Sequence, residues 1–73
     1  MKAGQVDLAV RILCNPKIKV TSRGVNKVYY FYDIFIVVPL RLSKKIDGFI
    51  KKKMYQSLRQ LIVNNIDIIE SNL

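Results

Sequence analysis

Cations are the residues with which this sequence can do chemistry. Thirteen lysines and arginines stand against five aspartates and glutamates, a formal net charge of +8 over 73 residues. They are unevenly spaced. One group, Lys17, Lys19, Arg23 and Lys27, runs into the aromatic stretch that holds Tyr29, Phe31 and Phe35. A second group, Arg41, Lys44, Lys45, Lys51, Lys52 and Lys53, is followed by Arg59. Cations interleaved with rings suit strand-based recognition, in which ammonium and guanidinium groups meet phosphates and aromatic faces stack on bases. The same three rings also suit a core or a dimer interface, because a small protein needs them for stability. A field this positive attracts nucleic acid, an acidic protein or an anionic membrane surface. It stands at the upper end of what solubility alone asks of a small domain.

Other chemistry is nearly absent. The chain has no histidine, and so lacks the commonest general base, metal ligand and pH switch. Its carboxylates, Asp7, Asp33, Asp47, Asp67 and Glu70, are scattered and form no acid/base pair. A single cysteine, Cys14, excludes an intrachain disulfide and a cysteine zinc site. Its place in an apolar run predicts an inert core thiol. Gly4, Gly24 and Gly48 form no phosphate-binding loop. The expectation is a protein that is not an enzyme and needs no metal or cofactor.

The elements that must position the cations divide into a β-rich front and a helical back. Val6, Leu8, Val10, Ile12 and Cys14 alternate with Asp7, Ala9, Arg11 and Leu13, which predicts a first strand over Gln5–Cys14, ended by Asn15-Pro16. A second strand is predicted over Lys17–Ser22, with one basic face. Arg23-Gly24-Val25-Asn26 fits a hairpin connection, since glycine and asparagine tolerate positive φ. The third predicted strand, Lys27–Val38, is apolar on both faces. Val28, Tyr30, Tyr32, Ile34, Ile36 and Val38 fall on one side; Tyr29, Phe31, Asp33, Phe35 and Val37 fall on the other. Both sides therefore need cover, one from the helix and one from a second subunit or another partner.

From Leu40 the period becomes helical. Ile46, Ile50, Met54, Leu58, Leu61, Ile62, Ile66 and Ile69 make one stripe, and a long helix is predicted from Asp47 to Ser71. The expected fold is α+β: a three-stranded antiparallel sheet followed by a long C-terminal helix, in the order β-β-β-α, as one domain over residues 1–73. On that helix the lysines gather at the N-terminal end and Asp67 and Glu70 at the C-terminal end, against the macrodipole. Charges set against helix stability suggest placement for a partner. Gln56, Gln60 and Asn64 add hydrogen-bonding groups of the kind used on bases and phosphates.

Two fragments carry a family likeness. Val20-Thr21-Ser22-Arg23-Gly24, followed later by Val37-Val38-Pro39-Leu40-Arg41-Leu42, resembles the N-terminal part of AbrB/SpoVT-type swapped-hairpin transcription factors. The resemblance covers about a third of the chain. It implies a dimeric DNA-binding barrel with Arg23 and Arg41 near DNA. The sequence also departs from that pattern: it spaces the two fragments widely and replaces the later glycine-rich turn and closing strands with helix.

A chain of 73 residues has little interior, yet 51% of this one is hydrophobic, so self-association is expected from surface-to-volume scaling. The N-terminal segment lacks the apolar stretch of a signal peptide. The apolar run Val28–Leu40 is too short for a membrane span, which needs about 20 residues, and it holds Asp33 and Pro39. A cytoplasmic, intracellular setting is expected, nucleoid-associated if the chain binds DNA, and the wealth of Lys, Ile and Asn fits an AT-rich genome such as that of a virus or mobile element. The resulting expectation is a nucleic-acid-binding homodimer, DNA before RNA, in regulation or genome architecture. The alternative is a protein-interaction module or small inhibitor that binds an acidic partner.

Overall fold

A computed structural model describes residues 2–71. The elements are α1 (Lys2–Leu13), β1 (Lys19–Arg23), β2 (Asn26–Phe31), β3 (Ile34–Pro39), α2 (Leu40–Lys51), α3 (Tyr55–Asn64) and the short β4 (Glu70–Ser71). The strands form one antiparallel sheet in the order β1-β2-β3-β4. The α+β class and the count of three principal antiparallel strands agree with the sequence reading, but of the three predicted strands only Lys17–Ser22 forms a single strand, β1. The helices do not agree: one precedes the sheet and two follow it.

The first segment is a helix, not a strand. Val6, Ala9, Ile12 and Leu13 are buried, and Gly4, Asp7 and Arg11 are exposed. Both sets follow a three-and-four spacing. Alternation is present as well, because seven of the ten residues Gln5–Cys14 are apolar and fit either period. Length decides between the two patterns: twelve residues suit a helix better than a strand.

The hairpin at Gly24 forms as expected. Arg23 pairs with Asn26, so Gly24-Val25 is a two-residue loop, and Gly24 sits at φ +58°, where glycine avoids the steric cost. The segment after it is not one strand but two. A strand over Lys27–Val38 would run about 40 Å at 3.3 Å per residue, whereas the molecule extends 27 × 26 × 23 Å. The chain turns at Tyr32-Asp33 and pairs Phe31 with Ile34 and Tyr30 with Phe35. Tyr32 bears the turn at φ 56°.

That turn reassigns the two faces. Tyr29 and Phe31 share a side with Ile34, Ile36 and Val38; Val28 and Tyr30 share the other with Phe35 and Val37. The first side carries the core. Tyr29, Ile36 and Val38 pack there with Val6, Ala9, Ile12 and Leu13 of α1, Leu42 and Ile46 of α2, and Leu58 and Ile62 of α3. All three helices thus cover one side of the sheet.

The long helix is two helices. The N–H of Met54 donates to Phe49 O at 2.8 Å and that of Lys53 to Ile50 O at 3.1 Å. With Lys53 at φ 58° this is a Schellman ending, in which lysine occupies the place usually given to glycine. Left-handed backbone costs a lysine roughly 1–2 kcal/mol. Lys53→Gly should therefore stabilise the fold by up to about 1 kcal/mol and raise the thermal midpoint by about 4–8 °C. Thermal unfolding followed by circular dichroism checks this; a lowered midpoint would show that Lys53 makes up for its strain elsewhere.

Candidate nucleic-acid interface

The break after Lys51 changes where the cations stand. Arg41, Lys44 and Lys45 lie in the first turns of α2, which has no acidic residue in its first turn and no side-chain cap at Pro39. These three oppose the macrodipole. Lys51, Lys52 and Lys53 lie at its C-terminal end, where positive charge is favourable. The adverse placement read from a single long helix therefore holds for only half of the group. Asp67 and Glu70 fall beyond α3, outside any helix.

Helical spacing builds a stripe from this group. Leu42, Ser43 and Ile46 turn inward, and Phe49 and Ile50 pack partly against the core. Arg41, Lys44, Lys45, Lys51, Lys52 and Lys53 are all exposed. At 1.5 Å rise per residue, α2 spreads Arg41 to Lys51 over about 15 Å, and Lys52 and Lys53 follow in its C-terminal turn. The carboxylate of the same helix is engaged elsewhere: Asp47 takes an ion pair from Lys27 Nζ and a hydrogen bond of 3.0 Å from the Tyr29 hydroxyl. The stripe is left uncompensated by its own helix.

Lys27 and Tyr29 consequently belong to the join between sheet and helix. The Lys27 ammonium lies 5.4 Å from the centre of the Tyr29 ring. Tyr29 is buried on the core side, and burial, with Asp47 beside it, pushes its hydroxyl well above the ordinary tyrosine range. A raised folded-state pKa means stability that is complete below the unfolded value of about 10 and lost as pH climbs toward the folded one. Stability should therefore fall above about pH 10, more steeply in the native chain than in Tyr29→Phe. Denaturation curves over that alkaline range check this; parallel pH profiles would contradict it.

Arg59 is also engaged, its Nε donating to Asp7 at 3.0 Å across α1 and α3. Cys14 is half-buried beside the core, and burial raises its thiol pKa, consistent with an inert cysteine.

Lys19 and Arg23 lie on the open side of the sheet. Register places Lys19 with Tyr30 and Phe35 in one row, Thr21 with Val28 and Val37 in the next, and Arg23 with Asn26 and Pro39 in the third. Val28 is buried, yet it stands apart from the core cluster beneath the helices. Phe35 is 37% exposed and Tyr32 87% exposed at the turn. Lys17 precedes β1 in a turn in which its N–H donates to Asn15 Oδ1 at 2.8 Å, and it lines a hollow together with Lys19. Of the three rings singled out in the sequence, Tyr29 and Phe31 fall on the core side, and Phe35 alone is on the open one. Tyr30 and Tyr32 take the outer positions. The signal for them was parity: a two-residue turn at Tyr32-Asp33 reverses which rings share a face.

The sequence-derived cations thus form two groups on opposite sides of the sheet, with Lys27 and Arg59 withdrawn into ion pairs. Arg23 and Arg41 lie at one end of the molecule, where Arg41 lines a hollow with Val25, Asn26, Pro39 and Leu40. Among the described residues no cluster of three metal-ligating side chains occurs, and no helix is long and apolar enough to cross a membrane. No protein-family model, curated protein or solved structure matches this chain.

Proposed function

We propose that this chain is a small nucleic-acid-binding protein, acting on DNA as a homodimer in regulation or genome architecture. The observation that carries the reading is the exposed stripe Arg41-Lys44-Lys45-Lys51-Lys52-Lys53, left uncompensated by the carboxylate of its own helix. Regularly presented cations track a phosphate backbone, and each neutralised phosphate releases bound counterions. The common end shared by Arg23 and Arg41 supports the same partner for both, as the resemblance to swapped-hairpin factors implies. Exposed Val25, with Pro39 and Leu40, offers an aliphatic patch at that end for a second copy of the chain.

Binding of labelled duplex and single-stranded DNA at low salt tests the function. Micromolar or tighter affinity is expected. Failure to bind any DNA or RNA at low salt would refute it. Light scattering tests the assembly separately: the expected mass is that of a dimer, and a strict monomer would favour the alternative, a module whose open sheet meets an acidic protein.

A further inference from the structure

Where β1 begins and β2 ends, a hollow of about 310 Å³ is lined by Lys17, Lys19, Tyr30, Phe31 and Tyr32. We propose that this hollow takes an unstacked base of single-stranded nucleic acid, with Tyr32 and Tyr30 as the stacking rings and Lys17 and Lys19 on the flanking phosphates. The inference rests on the nucleic-acid reading above and names the form of nucleic acid that this hollow would take.

Three observations converge on it. The first is strain. Tyr32 holds a left-handed backbone at φ 56°, in a turn where glycine or asparagine would be cheaper. The ring kept at that cost is 87% exposed. A residue that is costly in the backbone and makes so little use of burial points to a use outside the fold.

The second is ring geometry. Phe31 stands edge-on to Tyr32, with centroids 4.4 Å apart and planes at 63°. Tyr30 leans on Phe35 at 6.1 Å and 46°. The two tyrosines are buttressed by neighbours while both still line the hollow.

The third is charge. Lys17 is held by the Asn15 turn and Lys19 by the β1 ladder, and both line the same hollow as the rings. A cation pair beside aromatic faces matches a nucleotide, which is an anion joined to a planar ring. An acidic peptide would satisfy the lysines and leave the rings without a planar partner. Bases inside a duplex are already stacked on one another, so the strand must be single.

Fluorescence anisotropy with the full chain tests this, using oligo(dT) and oligo(U) of about 12 nucleotides and a duplex of about 20 base pairs. Tyr32→Gly removes the ring and relieves the backbone, so its folding is safe, and thermal unfolding should confirm a midpoint at or above that of the native chain. Its affinity for single strands should fall about tenfold, the loss of one stacked base, with duplex affinity unchanged. Lys17→Ala/Lys19→Ala should weaken the same ligands and flatten their salt dependence. A loss confined to oligo(dT) or to oligo(U) supports the proposal and shows which of the two strands the hollow takes. Unchanged single-strand affinity in folded Tyr32→Gly, or an equal loss on duplex, overturns the proposal and leaves the general reading standing. Tyr32-dependent capture of polyglutamate instead would also overturn it. No binding to any of the three nucleic acids would remove the general reading as well.

Discussion

Ile46→Ala and Leu58→Ala are each expected to remove about 2–5 kcal/mol of folding stability. Both side chains are fully buried where the helices meet the sheet, and truncation leaves a cavity as well as lost apolar contact. A domain of this length holds about 4–11 kcal/mol in all, at 0.05–0.15 kcal/mol per residue. Either change therefore consumes a large part of the total. Met54 is the informative control. It belongs to the same apolar stripe in the sequence, but it lies in the α2–α3 turn and is 42% exposed. Met54→Ala should cost less than about 1 kcal/mol. Urea denaturation of the three variants checks this ordering. Equal losses at Met54 and Ile46 would mean that one continuous helix, not two, describes the C-terminal half.

Replacing Lys51, Lys52 and Lys53 together by alanine should weaken DNA binding uniformly across sequences and flatten its salt dependence by up to about three units of log–log slope, about one per phosphate contact. These lysines are exposed and take no part in the core, so the variant should still fold. Lys53→Ala keeps the left-handed strain while Lys53→Gly relieves it, so the single variants separate charge from backbone. Both should lose the same affinity, and only the glycine should gain stability. Equilibrium binding at several salt concentrations, paired with thermal unfolding, checks both effects. Unchanged affinity and slope in the triple variant would remove the lysine corner from the interface.

Lys53 and Tyr32 also explain what the sequence could not disclose. The hairpin at Gly24 was legible because glycine stands where positive φ is needed. The shift to helical period after Pro39 was legible from Ile46 and Ile50, but the helix was expected from Asp47 and in fact starts at Leu40. The β2–β3 turn and the α2–α3 break were missed for one shared reason. Each requires a left-handed residue, and each uses a tyrosine or a lysine in place of the glycine that would have announced it. At α1 the failure was different: a run with apolar residues at most positions fits both periods, and only its length and the exposed set Gly4, Asp7 and Arg11 separate them.

The candidate site was legible in the same partial way. Composition was enough to single out the cations, but not their partners. Lys27 and Arg59 are drawn to Asp47 and Asp7 by contacts 20 and 52 residues apart in sequence, which no local pattern reveals. The rings were noticed and placed on the wrong faces, because reversing one turn exchanges Tyr29 and Phe31 for Tyr30 as the partners of Phe35.

The salt dependence of affinity for single-stranded and duplex DNA decides whether the exposed cations meet phosphates. Counterion release requires log affinity to fall linearly with log salt, by about 0.9 per phosphate neutralised on a duplex and about 0.7 on a single strand. With six exposed cations on the α2 stripe and its C-terminal turn, a slope of several units on duplex is predicted, from micromolar or tighter binding at low salt. Affinity independent of salt, or no binding at low salt, would contradict a nucleic-acid-binding role.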